Sequence, residues 1–165
     1  MALRRLVSQG WQVSVETAAT MPGPPDVVWE LITDWEHQDE WMLEASDFVV
    51  TTEQREGVGV EAEATITIGG IKTRDRVRVI GWEPPKRLAI EHLGWVTGVG
   101  EIHLTPLGTD RTHLFWREAL SPPLGMLGAL GMTGFKPLMR RIFERDLRVL
   151  AGLVRARAST NSGRP

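Results

Sequence analysis

The sequence contains no cysteine and no tyrosine. The lack of cysteine excludes disulfides, thiolate nucleophiles, zinc–thiolate sites and iron–sulfur clusters. Neither charge sign is in large excess, because 19 Lys and Arg face 21 Asp and Glu, for a net charge of −2. A protein held to its partner chiefly through phosphate contacts is usually basic overall, so no nucleic-acid partner is expected.

Long apolar runs are also missing. The most apolar window, residues 122–135, is too short to span a bilayer and contains four glycines. Near the N-terminus, Leu6 and Val7 are followed by polar Ser8 and Gln9, far short of the apolar core of a signal peptide. We therefore expect a cytoplasmic protein with no stable membrane insertion. In contrast, seven tryptophans accompany only four phenylalanines, which suggests a roomy interior lined by aromatic side chains.

The 165 residues are enough for one domain, which we place at 1–158, followed by a disordered tail at 159–165. Alternating or apolar segments between Gly, Pro and Asp turns predict seven strands, at 11–16, 48–52, 58–68, 71–82, 87–92, 99–105 and 112–120. Two short helices are predicted between the first two strands, one starting at Pro25 and one capped by Asp34. Apolar residues at helical spacing from 135 to 154 predict a long C-terminal helix. Because six strands follow one another directly, the fold class is α+β, with an antiparallel sheet covered by a helix on one face.

Strand register follows from the glycine pair at 69–70, which is a two-residue hairpin signal. It places Glu61 opposite Arg78 on one face and Ala62 opposite Val77 on the other, so charges meet outside and apolar groups meet inside. The three arginines of the second hairpin strand are therefore expected to form an outer charge ladder: Arg74, Arg76 and Arg78.

One charged residue of that hairpin, Asp75, points inward. The next turn places either Asp75 or Val77 opposite His92. The following pairings place His92 opposite Gly100 and Gly100 opposite Glu118, and Gly100 has no side chain to block the gap. Asp75, His92 and Glu118 are thus candidate site residues, with no catalytic role assigned. They form either a buried polar network that orders the sheet, or an anchoring or acid–base cluster for a ligand.

The inner faces of five strands oppose the apolar side of the last helix, which predicts a cavity of ligand size. Eleven residues are expected to line it: Val77, Ile90, His92, Ile102, Leu104, Trp116, Glu118, Leu138, Met139, Ile142 and Phe143. Trp29 and Trp41 are instead interpreted as packing residues. The four histidines lack helical metal spacing, so no metal site is expected.

Glycine recurs at every third position from 125 to 134. This pattern indicates either a frayed helix start with close backbone packing or a mobile lid over the cavity mouth. Four apolar side chains would form that lid: Met126, Leu127, Leu130 and Met132.

Short motifs along the chain, in a particular order, resemble the START-like (SRPBCC) superfamily, and most closely its polyketide cyclase/dehydrase and lipid-transport group. They are PPDVVW at 24–29, TDW at 33–35, EWM at 40–42, GVG at 57–59, WEPPKRL at 82–88, GTDR at 108–111, WRE at 116–118 and RDLR at 145–148. The resemblance covers residues 11–157 and implies a helix-grip fold. In that fold a curved seven-stranded antiparallel sheet wraps around a long C-terminal helix and encloses an apolar cavity. Cyclases of the group commonly set polar residues, Tyr among them, in the cavity, and this chain has no Tyr.

The resemblance implies a protein that binds a small hydrophobic ligand, such as a lipid-, polyketide- or phenol-like molecule, as a carrier or sensor. An alternative is a polyketide cyclase or dehydratase that uses no cofactor. A further alternative is a ribosome- or protein-binding regulator of toxin type. We expect no cofactor, and a monomer or weak homodimer.

The uneven charge distribution bears on that last alternative. Residues 26–63 contain twelve acidic residues and one basic residue, whereas residues 136–165 contain eight basic and two acidic residues. Either these are solvated faces that partly neutralise each other, or the basic helix contacts an anionic partner.

Overall fold

The computed structural model describes residues 11–162, which form seven strands, two α-helices and one 3-10 helix. The elements in chain order are β1 (Val13–Met21), α1 (Pro25–Thr33), the 3-10 helix (Trp35–Glu40), β2 (Ala45–Val50), β3 (Glu61–Ile68), β4 (Ile71–Glu83), β5 (Arg87–Leu93), β6 (Thr97–Pro106), β7 (Thr112–Ser121) and α2 (Gly125–Ser162).

All seven strands belong to one antiparallel sheet, in the order β1-β7-β6-β5-β4-β3-β2. Strands β2 to β7 form a meander, and β1 pairs with β7 at the far edge. Helix α2 packs on the sheet against β1 and buries Phe143, Leu147, Leu150 and Val154. This arrangement confirms the predicted α+β helix-grip fold.

The junction between α1 and the 3-10 helix is fixed by hydrogen bonds. Pro25 occupies the first helical turn of α1, where no N–H is needed, and Asp26 complements the helix dipole there. At the other end, the Gln38 side-chain amide donates to the carbonyl oxygens of Ile32, at 2.9 Å, and Asp34, at 3.1 Å. Because the last carbonyls of a helix lack intrahelical partners, these bonds hold the two helices in place.

Several predicted boundaries differ from the observed ones. Helix α2 begins at Gly125 rather than near 135, since glycine weakens a helix but remains compatible with helical geometry. It also continues through Ser162, so residues 159–162 of the expected tail are helical, while 1–10 and 163–165 lie outside the described residues. The hydroxyls of Ser159 and Thr160 donate to carbonyl oxygens one turn earlier, which satisfies acceptors of the last turns.

Register was predicted correctly at the glycine hairpin and between β6 and β7. Glu61 pairs with Arg78, and Glu101 pairs with Arg117. Ion pairs lie on the outer face as expected, with Arg78 2.6 Å from Glu61 and Arg74 3.0 Å from Glu63.

Strand β5 is where the register prediction is only partly right. Of the two predicted alternatives, the structure has Val77 opposite His92. An irregularity between Val79 and Gly81 shifts this pairing, as expected for a β-bulge. The predicted pairing of His92 with Gly100 is wrong by two residues, because His92 pairs with Gly98. A shift of two residues leaves every side chain on its predicted face.

Candidate ligand cavity and its polar cluster

The cavity lies between the inner face of the sheet and the segment that runs from α1 to β2. Its volume is about 90 Å³. Sixteen residues line it: Ile32, Trp35, Gln38, Trp41, Met42, Phe48, Ile66, Asp75, Val77, Leu88, Ile90, His92, Gly100, Ile102, Trp116 and Glu118. Ligand pockets commonly measure roughly 300–1,000 Å³, so the cavity in this structure is smaller than predicted.

Most of the predicted lining residues on the strands border the cavity, and those on the C-terminal helix do not. Six predicted residues are on the wall: Val77, Ile90, His92, Ile102, Trp116 and Glu118. Five others are absent from it: Leu104, Leu138, Met139, Ile142 and Phe143. Phe143 of α2 stacks its ring on Trp116 at 4.3 Å, so the helix contacts a residue of the wall and not the cavity itself. Leu138 is 41% exposed, which places it outside the core.

The four residues of the predicted lid also stay off the cavity wall. Met126, Leu127 and Leu130 are each more than half exposed to solvent, whereas Met132 packs against the core. The first turns of α2 therefore project away from the cavity in this structure. A lid function for them stays a prediction.

The roof of the cavity, defined here as residues 35–42 together with Phe48, was missed by sequence reasoning. Trp35, Gln38 and Trp41 are spaced by three, and residues three apart share a face in a 3-10 helix. Trp35 Nε1 donates to the Arg55 carbonyl at 3.0 Å, which ties the roof to the β2–β3 loop. Trp41, interpreted from sequence as packing, lies edge-on to Trp116 at 5.8 Å and lines the cavity. The spacing of three was the available signal.

Three charged side chains form a continuous hydrogen-bonded cluster on the cavity wall. His92 Nδ1 lies 2.7 Å from Asp75 Oδ2, and His92 Nε2 lies 3.1 Å from Glu118 Oε2. The Trp116 indole N–H donates to Glu118 Oε1 at 2.8 Å. The structure thus brings together Asp75, His92 and Glu118, which the sequence placed on one inward row.

The cluster runs diagonally across the sheet and depends on glycines of the neighbouring strands. His92 pairs with Gly98, and Glu118 pairs with Gly100. A Cβ atom on Gly100 would lie 2.5 Å from Glu118 Oε1, too close for any real contact. The missing side chain leaves the gap through which His92 reaches Glu118 across β6.

The charge of the cluster follows from the hydrogen bonds of His92. Burial by itself lowers the pKa of His92, but the hydrogen bonds with Asp75 and Glu118 outweigh it and raise that pKa to about 10. At neutral pH the ring is therefore an imidazolium that donates both N–H groups. With one basic side chain between two acidic ones, the cluster has a formal charge of −1.

A second cluster of buried acids lies just after the roof and was also missed. Arg145 Nη2 lies 2.8 Å from both Glu44 Oε2 and Asp146 Oδ1. Asp146 is fully buried, and its Oδ2 has no hydrogen-bond donor among the described residues. Burial and a hydrogen bond with Asp146 raise the pKa of Glu44 to about 8, against the effect of Arg145. At neutral pH the pair of Glu44 and Asp146 therefore retains a proton.

Within residues 11–162, no helix is both long and apolar enough to cross a bilayer. In the same part of the chain, no group of three or more His, Asp and Glu side chains has the arrangement of a metal site.

The fold and the interior cavity define a helix-grip protein of the START-like class. The family model for polyketide cyclase / dehydrase and lipid transport matches residues 12–155. The chain therefore belongs to this family.

Solved structures share the fold at low sequence identity. TTHA0849 from Thermus thermophilus is 21% identical with a TM-score of 0.75, over 88% of this chain and 99% of that one. The ZhuI aromatase/cyclase from Streptomyces sp. R1128 is 19% identical with a TM-score of 0.68, over 90% and 94% of the two chains. A START superfamily protein from Mycobacterium smegmatis is 15% identical with a TM-score of 0.66, over 89% and 97%. The search of curated proteins found no match.

Proposed function

We propose that the protein binds a small hydrophobic ligand in the cavity under the roof, as a carrier or sensor, with Asp75, His92 and Glu118 as its polar anchor. One observation carries the proposal: a hydrogen-bonded charged cluster is set into a wall whose other members are almost all apolar. Ligand sites commonly combine an apolar lining with a few convergent polar groups. Membership of a family described by lipid transport and polyketide cyclisation supports the same conclusion.

The size of the cavity requires the roof to move when a ligand enters. An engineered apolar cavity that binds benzene measures about 150 Å³, and the volume here is about 90 Å³. The two residues best placed to yield are Met42 and Phe48, because both line the cavity and are only partly buried. We therefore expect ligand binding to displace the roof while the sheet stays in place.

A polyketide cyclase or dehydratase is the second candidate, and the cluster is also the observation that favours it. Ring closure by carbon–carbon bond formation followed by loss of water needs a base and an acid. Both N–H groups of His92 are directed at carboxylates, so a carboxylate of Asp75 or Glu118 would contact the substrate first. The structural likeness to an aromatase/cyclase supports this candidate only at the level of the fold.

Native mass spectrometry of freshly purified protein tests the binding proposal by detecting any ligand that copurifies. A solvatochromic apolar dye provides a second test, because Trp35, Trp41 and Trp116 line the cavity and should be quenched. If no molecule copurifies and the dye does not bind, the proposal is overturned.

The role of the anchor is tested by Glu118→Gln, which keeps the shape of the side chain and removes its charge. The matched control is Glu101→Gln on the neighbouring strand, where Glu101 pairs with Arg87. Loss of ligand affinity or turnover in folded Glu118→Gln alone supports the anchor. Unchanged binding and turnover would leave a cavity without an anchoring cluster.

A further inference from the structure

We propose that the cavity selects its ligand by charge: it accepts a neutral or cationic molecule that carries an O–H or N–H donor, and it rejects carboxylates. This inference rests on the proposed function and specifies its ligand class. A free fatty acid, whose headgroup is a carboxylate, would then be a poor ligand for this family member.

The first argument is the charge on the wall. Asp75, His92 and Glu118 are the ionisable residues that line the cavity, two acids and one base, so their formal charge is −1. A ligand carboxylate in this cavity would be a second unbalanced negative charge in a largely apolar surrounding. Burial of an unpaired charge is strongly unfavourable, and a nearby like charge adds to that cost.

The second argument is the shortage of donors for an anion. Both N–H groups of His92 are directed at carboxylates, and the Trp116 N–H is bound to Glu118. Gln38 Nε2 donates to two carbonyls, and Trp35 Nε1 donates to a third. Apart from Trp41 Nε1, a carboxylate that entered would find a donor only by breaking one of these bonds.

Trp41 differs from these donors, because its buried Nε1 has no hydrogen-bond partner among the described residues. A single neutral N–H suits a carbonyl or ether oxygen, but it does not balance a full negative charge. Roof movement could therefore let Trp41 bind a neutral oxygen of the ligand without making the site receptive to anions.

The third argument is spare acceptor capacity. A carboxylate oxygen has two lone pairs, and the cluster uses one bond on each oxygen of Glu118 and one on Asp75 Oδ2. A ligand hydroxyl or ammonium can therefore be accepted without loss of the bonds that hold His92. The carboxylates also attract a donor more strongly than a neutral oxygen would.

The test compares single-ring probes of similar size: toluene, phenol, benzylamine and benzoate. Binding is followed at the indole ¹H–¹⁵N signal of Trp116, identified by its absence in Trp116→Phe, and affinities come from titration. We expect phenol or benzylamine to bind more tightly than toluene, and benzoate to bind at least about tenfold more weakly than phenol. Tighter binding of benzylamine than of phenol would identify an amine as the donor, and the reverse would identify a hydroxyl.

The decisive control removes one acidic charge from the cluster and asks whether benzoate then binds more tightly. Glu118→Gln brings the cluster to zero net charge, so its affinity for benzoate should rise by about tenfold while its affinity for toluene stays the same. Asp75→Asn makes the same charge change at the other end of the cluster and serves if the first variant does not fold. Glu101→Gln on the outer face should change neither affinity.

The outcomes separate this inference from the function on which it rests. If benzoate binds wild type as tightly as phenol, charge selection is wrong while ligand binding stands. The same conclusion follows if neither phenol nor benzylamine binds more tightly than toluene. If none of the four probes shifts the Trp116 signal, the proposed function itself is overturned.

Discussion

Two buried clusters in this protein have the same composition, two carboxyl groups and one basic side chain, and they hold their protons differently. In the cavity cluster the base, His92, lies between Asp75 and Glu118 and bonds to both. In the second cluster the base, Arg145, reaches Glu44 and Asp146 from one side and is 41% exposed. The base is protonated in both clusters, and in the second the pair of Glu44 and Asp146 keeps a further proton.

The comparison shows that the position of the cation decides whether a neighbouring carboxyl group keeps a proton. An imidazolium enclosed by two carboxylates is weakly screened by water, so its hydrogen bonds overcome the effect of burial on the pKa of His92. A guanidinium that is partly in water is screened, so the burial of Glu44 beside another carboxyl raises the pKa of Glu44 despite Arg145. Two acids and one base therefore form a charged site in the cavity, whereas in the second cluster they form a pair of carboxyl groups that keeps a proton.

The largest expected effect is that of removing the enclosed cation. His92→Ala leaves Asp75 and Glu118 as two carboxylates without their shared donor, and we expect a loss of about 3–5 kcal/mol in the free energy of unfolding at pH 7. Urea unfolding measures it. His113→Ala, on the outer part of β7, is the matched control and should cost less than about 1 kcal/mol. A loss in His92→Ala no larger than in the control would show that the cluster does not need its cation.

The second prediction concerns pH and separates the two clusters by their windows of stability. Glu44 has a folded pKa of about 8 against an ordinary value of 4.5, so its contribution is full below pH 4.5 and is lost as the pH rises to 8. His92 has a folded pKa of about 10 against 6.5, so its contribution is lost only between pH 6.5 and 10. Both clusters thus lose their stabilising contribution as the pH rises, Glu44 over the lower range and His92 over the higher one.

Glu44→Gln isolates the first window, because an amide donates to Asp146 at every pH. The difference in unfolding free energy between this variant and wild type should shift in favour of the variant by roughly 2–4 kcal/mol from pH 4.5 to 8. Urea unfolding at a series of pH values measures that difference. Glu30→Gln on the exposed face of α1 should show no such trend. A constant difference for Glu44→Gln would mean that Glu44 does not gain or lose its proton in this range.

The cavity cluster could be found from sequence because alternation along a strand fixes which face a side chain occupies. Asp75 and Glu118 fall on inward positions of strands whose other inward residues are mostly apolar. The register error of two residues at His92 did not matter, since it preserved the face and His92 still reaches both partners. The bulge between Val79 and Gly81 leaves no clear local signal, so the diagonal geometry could not be derived.

The second cluster and the roof could not be derived in the same way. Glu44 and Asp146 are about a hundred residues apart and lie on a loop and a helix, for which no ladder of pairs fixes the distance. Asp146 does follow the apolar stripe of α2 at helical spacing from Phe143 and before Leu150, and a charge within such a stripe indicates a buried partner. The identity of that partner depends on how the chain packs after the 3-10 helix, which local pattern does not determine.

The smallest expected effect tests whether the space around the enclosed cation is as tight as the comparison requires. Gly100→Ala places a Cβ about 2.5 Å from Glu118 Oε1 and must displace that carboxylate. We expect a loss of about 1–3 kcal/mol in unfolding free energy. The pKa of His92 should also fall from about 10, because the hydrogen bond with Glu118 weakens. Unfolding in urea and the pH titration of the His92 ring signal measure the two changes.

Gly131→Ala is the matched control, since its Cβ would meet nothing within 4 Å, and it should stabilise α2 by up to about 1 kcal/mol. If Gly100→Ala lowers stability but leaves the His92 titration unchanged, the hydrogen bond with Glu118 contributes little to the pKa of His92. The raised pKa of His92 would then depend mainly on Asp75, and the cation would not be held equally by both carboxylates.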